Sequence, residues 1–150
     1  MNRNFVFALI LLAMLSRINA IPHQLHKRTT EFDACSNLPP ETPVLDVTIS
    51  PDPVVPESTD TFTISGTLKQ DITDDFKLYI VFTDEHGNII SNDILDICKE
   101  VACPIKAGTL YQTTQDVYVP TLRGTSYIVV GIANGTESSD DVLACSVATA

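Results

Sequence analysis

Apolar and polar residues alternate along several short segments of the chain. In the first of them, residues 44–50, Leu45, Val47 and Ile49 fall on one face and the intervening residues fall on the other. This period of two is the mark of a β-strand with one buried side. The strands predicted in this way span residues 44–50, 61–68, 76–82, 116–119, 126–133 and 142–147.

Turn-forming sequences separate these strands at intervals that are typical of an antiparallel β-sandwich. They are rich in Gly, Pro, Asn and Asp, and they read SPDP, DITDD, DEHGN, LRGT and NGTESSD. After residue 20, no segment has the apolar stripe of an amphipathic helix, which a doubly wound α/β fold would need between its strands. We therefore predict an all-β domain made of two antiparallel sheets.

The first 20 residues are typical of a cleaved secretory signal. The basic Arg3 precedes an apolar run over residues 5–15, and the segment closes on the small Ala20. The run is too short to span a bilayer as a helix. We therefore predict a signal peptide over residues 1–20, and a location outside the cell or in the vacuolar or lysosomal lumen.

We predict one domain over residues 35–150, because the length of the chain after the signal is enough to bury one core. Residues 21–34 form either a pro-segment or a flexible N-terminus. The dibasic pair Lys27 and Arg28 offers a second cleavage site within this segment. The sequence leaves the use of that site open.

The formal net charge is −10 at pH 7, from nine basic and 19 acidic residues. The signal contains two of the basic residues and none of the acidic ones, so the mature chain is more acidic still. This charge disfavours nucleic acid as a partner and repels anionic membranes at neutral pH. Protonation of carboxylates at acidic pH would reduce the repulsion, so we expect transient membrane contact to be strongest there. We also expect a monomer.

Four cysteines follow the signal peptide, and the secretory setting predicts two disulfides. Four cysteines allow three pairings, and the sequence alone does not choose among them. The close spacing of Cys98 and Cys103, with Pro104 next, favours a bridge between those two and leaves Cys35 with Cys145. A metal site is less favoured, because the close pair is spaced too widely for a knuckle and no nearby histidine completes one. We expect no metal and no cofactor.

No combination of side chains matches a catalytic motif. His23 and His26 lie in the expected pro-segment, and His86 lies in a turn. The carboxylates in residues 71–75 lack the spacing of a calcium loop and fit a solvated turn. Asn134, in the sequence NGT, is an acceptor pattern for N-glycosylation. The chain is therefore predicted to be a glycoprotein and not an enzyme.

The order of these features resembles the ML lipid-recognition domain family, which includes the Niemann-Pick type C sterol carrier and fungal phosphatidylglycerol/phosphatidylinositol transfer proteins. The most specific part of the resemblance is the CKEVACPI core. The full set, which extends over residues 35–147, is Cys35, SPDPVVPESTDTFTISG, DICKEVACPIKAG, the strand ending in VYVP, SYIVVGIA and Cys145.

By this resemblance, the fold is an immunoglobulin-like sandwich whose inner faces part to hold one lipid in an internal cavity. The resemblance implies the bridges Cys35–Cys145 and Cys98–Cys103. Many members of the family carry a third bridge in an early hairpin, and the corresponding region of this chain contains no cysteine.

Under this hypothesis, the lipid would lie against the apolar side of the alternating strands. Gly131 and Ala133 continue the last such face with little bulk and would leave room for it. The resemblance also implies that four isoleucines near the short bridge surround the mouth of the cavity. The predicted lipid-binding residues are Val47, Ile49, Phe62, Ile64, Leu78, Ile80, Phe82, Val117, Val119, Tyr127 and Val129 on the strands, and Ile90, Ile94, Ile97 and Ile105 near the bridge.

Two functions fit these patterns. The first is a lipid-binding protein that carries a phospholipid or sterol between membranes, driven by burial of the lipid tail at about 0.8 kcal/mol per methylene. The second is a secreted adhesion or recognition module with a packed core, because a well-packed sandwich uses the same alternation. Periodicity alone does not distinguish a filled sandwich from a hollow one.

Overall fold

The computed structural model describes residues 29–135 and 141–150. The predicted signal peptide and the dibasic pair lie outside the described residues. None of the helices in the described part of the chain has the length and hydrophobicity of a membrane span. The elements are β1 (Asp33–Ala34), β2 (Asp46–Ser50), β3 (Thr59–Thr67), β4 (Lys77–Asp84), β5 (Ile89–Asp96), α1 (Ile97–Glu100), β6 (Leu110–Tyr118), β7 (Ser126–Ala133) and β8 (Val142–Thr149).

The strands form two sheets in which every pairing is antiparallel. The larger sheet has the order β1-β8-β7-β4-β5, and the smaller sheet has the order β2-β3-β6. Apolar residues on the facing sides of the two sheets form one core. The predicted all-β sandwich of two antiparallel sheets is confirmed.

Two contacts show how the sheets lie on one another. The rings of Phe62 in β3 and Phe82 in β4 meet edge to face, with centroids 6.3 Å apart. The hydroxyl of Ser146 in β8 accepts a hydrogen bond from the Leu45 N–H and donates one to the Leu45 carbonyl, each at 2.7 Å. β3 therefore lies over β4, and the start of β2 lies near β8. The strand orders then place the edge strands β5 and β6 opposite each other on the far side of the sandwich.

The side of the sandwich formed by β2 and β8 is tied together. The disulfide Cys35–Cys145 joins the N-terminal segment to β8, with its Cα atoms 5.8 Å apart. The Cys145 N–H donates to the carbonyl of Pro43, just before β2, at 3.1 Å. β1 pairs with β8 through Asp33 and Val147. A strand thus lies before Cys35, within residues 21–34, for which the sequence predicted a pro-segment or a flexible N-terminus.

All six predicted strands are present, with shifted ends. β6 begins at Leu110, well before the expected residue 116, and β1 and β5 were not predicted. β5 has a weak signal because Ser91, Asn92 and Asp93 interrupt its apolar residues. The register of β5 against β4 also shifts after Phe82, which further disturbs the alternation.

Candidate functional site

The facing sides of the two sheets carry most of the residues that the sequence predicted to bind lipid. The inner face is completed by Ile128, Val130 and Ile132 of β7, which the sequence reasoning missed. A buried Ile97 and a half-buried Ile105 pack at the end of this core, near the short bridge. The predicted residues that are buried between the sheets or directly beside them are Val47, Ile49, Phe62, Ile64, Leu78, Ile80, Phe82, Val117 and Val119.

Protein side chains fill the interior between the sheets. Phe62, Ile80, Phe82 and Ile128 all have 0% of their surface accessible to solvent. A side chain that bordered a water-sized void would keep accessible surface on that side, so these four contact protein atoms all around. The expected internal cavity is therefore closed around these residues. An acyl chain or sterol would have to separate the sheets to lie between them.

The prediction that Tyr127 and Val129 face the interior is wrong. Val130 pairs with Ile80 across β7 and β4, and both side chains are fully buried on the inner face. Alternation along β7 then turns Tyr127 and Val129 to the outer face, where both are half-buried. The sequence of β7 is apolar on both faces, so its alternation does not identify which face meets the other sheet.

Val129 lines a groove on the outer face of the five-stranded sheet. The groove has a volume of about 330 Å³ and lies beneath the segment that follows Cys35. Its apolar walls include Leu38, Val129 and Val147. Gly131 and Ala133, which were expected to leave room inside the sandwich, also line this outer groove. Within the described residues, the closed interior and this open groove are both lined by apolar side chains.

Ile90 and Ile94 of β5, which were predicted to bind lipid, are both exposed. Ile94 pairs with Tyr79 on the outer face of the sheet and is 55% exposed. Ile90 lies at the register shift near the β4–β5 turn and is 39% exposed. The expectation that Ile94 lines the mouth of an internal cavity is wrong, because alternation puts its neighbours Asp93 and Leu95 on the inner face instead.

The inner positions of β6 become polar where this strand faces β5. Thr113 pairs with Ile64 and Gln115 pairs with Phe62, so both polar side chains share the inner face with these apolar partners. Tyr111 precedes them on the same face and is buried. Burial raises the pKa of Tyr111 to about 12, which keeps its phenol neutral. A polar row therefore borders the apolar interior along this edge of the sandwich.

Glu100, at the end of α1, links this edge to the larger sheet. Its Oε2 accepts hydrogen bonds from the Thr113 Oγ1, at 3.0 Å, and from the Gln115 Nε2. Glu100 follows β5 along the chain, and both of its partners belong to β6. These bonds therefore join the two edge strands across the side of the sandwich that is opposite the Cys35–Cys145 bridge.

The segment around α1 is held by the second disulfide and by ion pairs. The structure confirms both predicted bridges, and the Cα atoms of Cys98 and Cys103 lie 5.4 Å apart. Asp96 forms ion pairs with Lys77 and Lys99. Hydrogen bonds from these two ammonium groups lower the pKa of Asp96 to about 2. The geometry around Glu100 is thus fixed on both sides of α1.

The described side chains that were considered for metal or acid–base chemistry have structural contacts. Asp71 accepts hydrogen bonds from the Lys106 ammonium at 2.8 Å and the Ala107 N–H at 2.9 Å, and these bonds lower the pKa of Asp71. His86 is exposed in the turn after β4. Over residues 29–135 and 141–150, no group of three His, Cys, Asp or Glu side chains is arranged to hold a metal ion.

The predicted glycosylation site lies directly after β7. The side-chain amide of Asn134 donates a hydrogen bond to the Asp141 carboxylate at 3.2 Å. Thr136, which completes the acceptor pattern, lies outside the described residues. Glycosylation of Asn134 stays a prediction.

The topology and the two bridges define an immunoglobulin-like β-sandwich with an apolar interior. A family model described as the ML domain matches residues 29–150. The chain therefore belongs to the ML-domain family, as the sequence pattern indicated.

Two solved structures with this fold align with this chain over most of their own length. A Niemann-Pick type C2 protein from Japanese carpenter ant is 18% identical, with a TM-score of 0.54, over 79% of this chain and 96% of the other. Chicken MD-1, solved in complex with lipid IVa, is 16% identical, with a TM-score of 0.50, over 79% of this chain and 86% of the other. Among curated protein sequences, none gives a significant match. These similarities show the fold.

Proposed function

We propose that this protein binds one lipid, a phospholipid or sterol, between its two sheets and carries it between membranes. The observation that carries the proposal is the apolar core between the sheets of an ML-domain sandwich, formed by residues such as Phe62, Ile80 and Phe82. The complex of chicken MD-1 with lipid IVa supports lipid as the class of ligand. The transfer function needs no covalent chemistry and no catalytic group.

Binding requires the two sheets to move apart. Because the interior is apolar, the lipid can replace the contacts that the sheets lose when they separate. When the sheets part, Phe62 and Phe82 exchange contact with each other for contact with the lipid, so their surfaces stay out of water. The lipid tail gains burial at about 0.8 kcal/mol per methylene. Burial of a tail of ordinary length therefore contributes several kcal/mol, which offsets part of the free energy lost when the contacts between the sheets are broken.

The contacts at the two sides of the sandwich indicate which side opens. The β2–β8 side is tied by the Cys35–Cys145 disulfide and by the paired hydrogen bonds of Ser146 with Leu45. The β5–β6 side is joined by the exposed Glu100, whose partners are side chains. Exposed polar contacts contribute little to stability, whereas a disulfide closing a long loop contributes several kcal/mol. We infer that the lipid passes between β5 and β6 while the other side acts as a hinge.

The expected setting is secretory. The predicted signal peptide supports secretion or delivery to a vacuolar or lysosomal lumen. The two disulfides fit such an oxidising compartment. We propose that the protein acts there as a monomer that contacts membranes transiently.

Lipid extraction and vesicle exchange together test the proposal. Protein purified without detergent from a eukaryotic secretory host should release a phospholipid or sterol in a molar ratio near one, identified by mass spectrometry. The same protein should accelerate transfer of fluorescent phospholipid or sterol from donor to acceptor vesicles in proportion to its concentration. Protein that carries no lipid and leaves both transfer rates unchanged contradicts the proposal.

The packed interior favours a second candidate function, a secreted recognition module with a solid core. In that case the zero exposure of Phe62, Ile80 and Phe82 reflects permanent packing. Such a module would bind a partner through its acidic loops. It would give no lipid on extraction and no vesicle transfer, so the same two measurements separate the two functions.

A further inference from the structure

One buried polar side chain in the described residues has no hydrogen-bond partner, and it faces the space between the sheets. This group is the hydroxyl of Ser126, at the start of β7. Ser126 is 0% exposed, as are Ile128 and Val130, which follow it on the inner face of the same strand. Nearly all buried polar groups in folded proteins are hydrogen-bonded, so an exception calls for a physical explanation.

The other two buried polar residues show that partners are normally provided in this structure. The carboxylate of Asp60 accepts hydrogen bonds from the Val55 N–H at 2.8 Å and the Ser58 hydroxyl at 2.6 Å. Ser146, on the inner face of β8, bonds to both backbone groups of Leu45. Ser126 differs from both, because its hydroxyl is also inaccessible to water but has no hydrogen-bond partner.

Ser126 lies where a lipid between the sheets would reach it. It pairs with Asp84 at the end of β4, and the next inner pair along these strands is Phe82 with Ile128. Phe82 in turn contacts Phe62 of the opposite sheet. A lipid that separates the two rings would therefore lie next to Ile128, one inner-face position along β7 from Ser126.

We propose that Ser126 binds a neutral hydroxyl or carbonyl oxygen of a lipid that carries this oxygen into the sandwich. The proposal rests on the proposed lipid-binding function. A serine hydroxyl both donates and accepts, so either kind of oxygen would satisfy it, whereas a hydrocarbon would not. A phosphate or carboxylate is excluded as the bound group, because every described Lys and Arg is at least partly exposed and a buried anion without a partner is strongly unfavourable.

The test compares the binding of an alcohol and of the matching alkane in the wild type and in one variant. Affinities of dodecanol and dodecane are measured by displacement of cis-parinaric acid from delipidated wild-type and Ser126→Ala protein. The variant should bind dodecanol about fivefold more weakly, the ratio expected for one ordinary hydrogen bond, and should bind dodecane as the wild type does. The melting temperature of its lipid-free form should not fall, because the hydroxyl has no partner to lose.

Ser146→Ala is the matched control, since it also removes an inner-face hydroxyl. It should lower the melting temperature, because two hydrogen bonds are lost, and should keep the wild-type preference for dodecanol over dodecane. An unchanged preference in Ser126→Ala, or a lower melting temperature of its lipid-free form, overturns the proposal for Ser126. Wild-type protein that binds neither cis-parinaric acid nor the two ligands instead contradicts the proposed lipid-binding function itself.

Discussion

Truncation of Ile80 to alanine separates a lipid carrier from a solid sandwich. Ile80 lies in the middle of β4, pairs with Val130 and Asp93, and is completely buried. The change removes three buried carbon atoms, and replacements of this kind destabilise proteins by about 2 to 5 kcal/mol. Its neighbour Val130 is itself fully buried in a central strand, so the site has little freedom to collapse. We therefore expect a loss in the upper part of this range for the lipid-free protein, measured by urea unfolding.

Part of this loss comes from the empty space that the substitution leaves, at roughly 24 cal/mol for each Å³. A lipid tail between the sheets would fill that space. Saturating lipid should therefore raise the melting temperature of Ile80→Ala more than that of the wild type. Leu68→Ala is the comparison, because Leu68 is in the same core but lies just beyond the end of β3, six residues after Phe62. Lipid should therefore raise its melting temperature less than that of Ile80→Ala. If lipid leaves the deficit of Ile80→Ala unchanged, the interior does not receive the tail.

Three further outcomes follow from the contacts at the edges of the sandwich. Glu100→Ala should change the unfolding free energy by no more than about 0.5 kcal/mol, because Glu100 is exposed. The same variant should take up lipid faster in stopped-flow fluorescence. An unchanged or slower rate would argue against passage between β5 and β6. Replacing Cys35 and Cys145 by serine should lower the unfolding free energy by about 2 to 5 kcal/mol in urea, and a smaller loss would mean that the hinge side is held mainly by hydrogen bonds. The pKa of Asp96 is lowered to about 2 by its two ion pairs. The stability that these ion pairs contribute is therefore fully present above the ordinary aspartate pKa and is lost as the pH falls toward about 2. An NMR titration of the Asp96 carboxyl carried down to low pH should therefore give a midpoint at about pH 2. A midpoint near the ordinary aspartate value of about 3.9 would contradict the ion pairs.

The sequence predicted the strands in which one face is clearly polar. Leu45, Val47 and Ile49 alternate with more polar neighbours, and the structure buries all three. The disulfide pairing was also accessible, because the spacing of Cys98 and Cys103 permits a local bridge. Local pattern is sufficient in these cases, since alternation and chain spacing are properties of the segment itself.

The face of β7 was not predictable by the same reasoning. Its outer residues, Tyr127 and Val129, are apolar because the N-terminal segment and the outer groove border them. This cover depends on the Cys35–Cys145 bridge and on pairing of β1 with β8, which are long-range contacts. When a strand is buried on both faces, its residues do not alternate between apolar and polar, so the sequence does not show which face meets the core.

The closed state of the interior was also beyond the sequence. Packing of Phe62 against Phe82 depends on how closely two separate sheets approach, and no property of either strand determines that distance. The role of Glu100 was missed because it arises between α1 and the inner side of β6. Its only local signal was the polar character of Thr113 and Gln115 within a strand that otherwise faces the core.

Lipid contact between the sheets is tested most directly by isotope-filtered NOE spectroscopy. The protein carries isotope-labelled methyl groups, and the bound lipid, identified by extraction, is unlabelled. Binding between the sheets predicts NOEs from the lipid tail to the methyl groups of Ile80, Ile128 and Val130. NOEs confined to Val129 and Val147, which line the outer groove, would show that the lipid lies outside the sandwich and would contradict the proposed site.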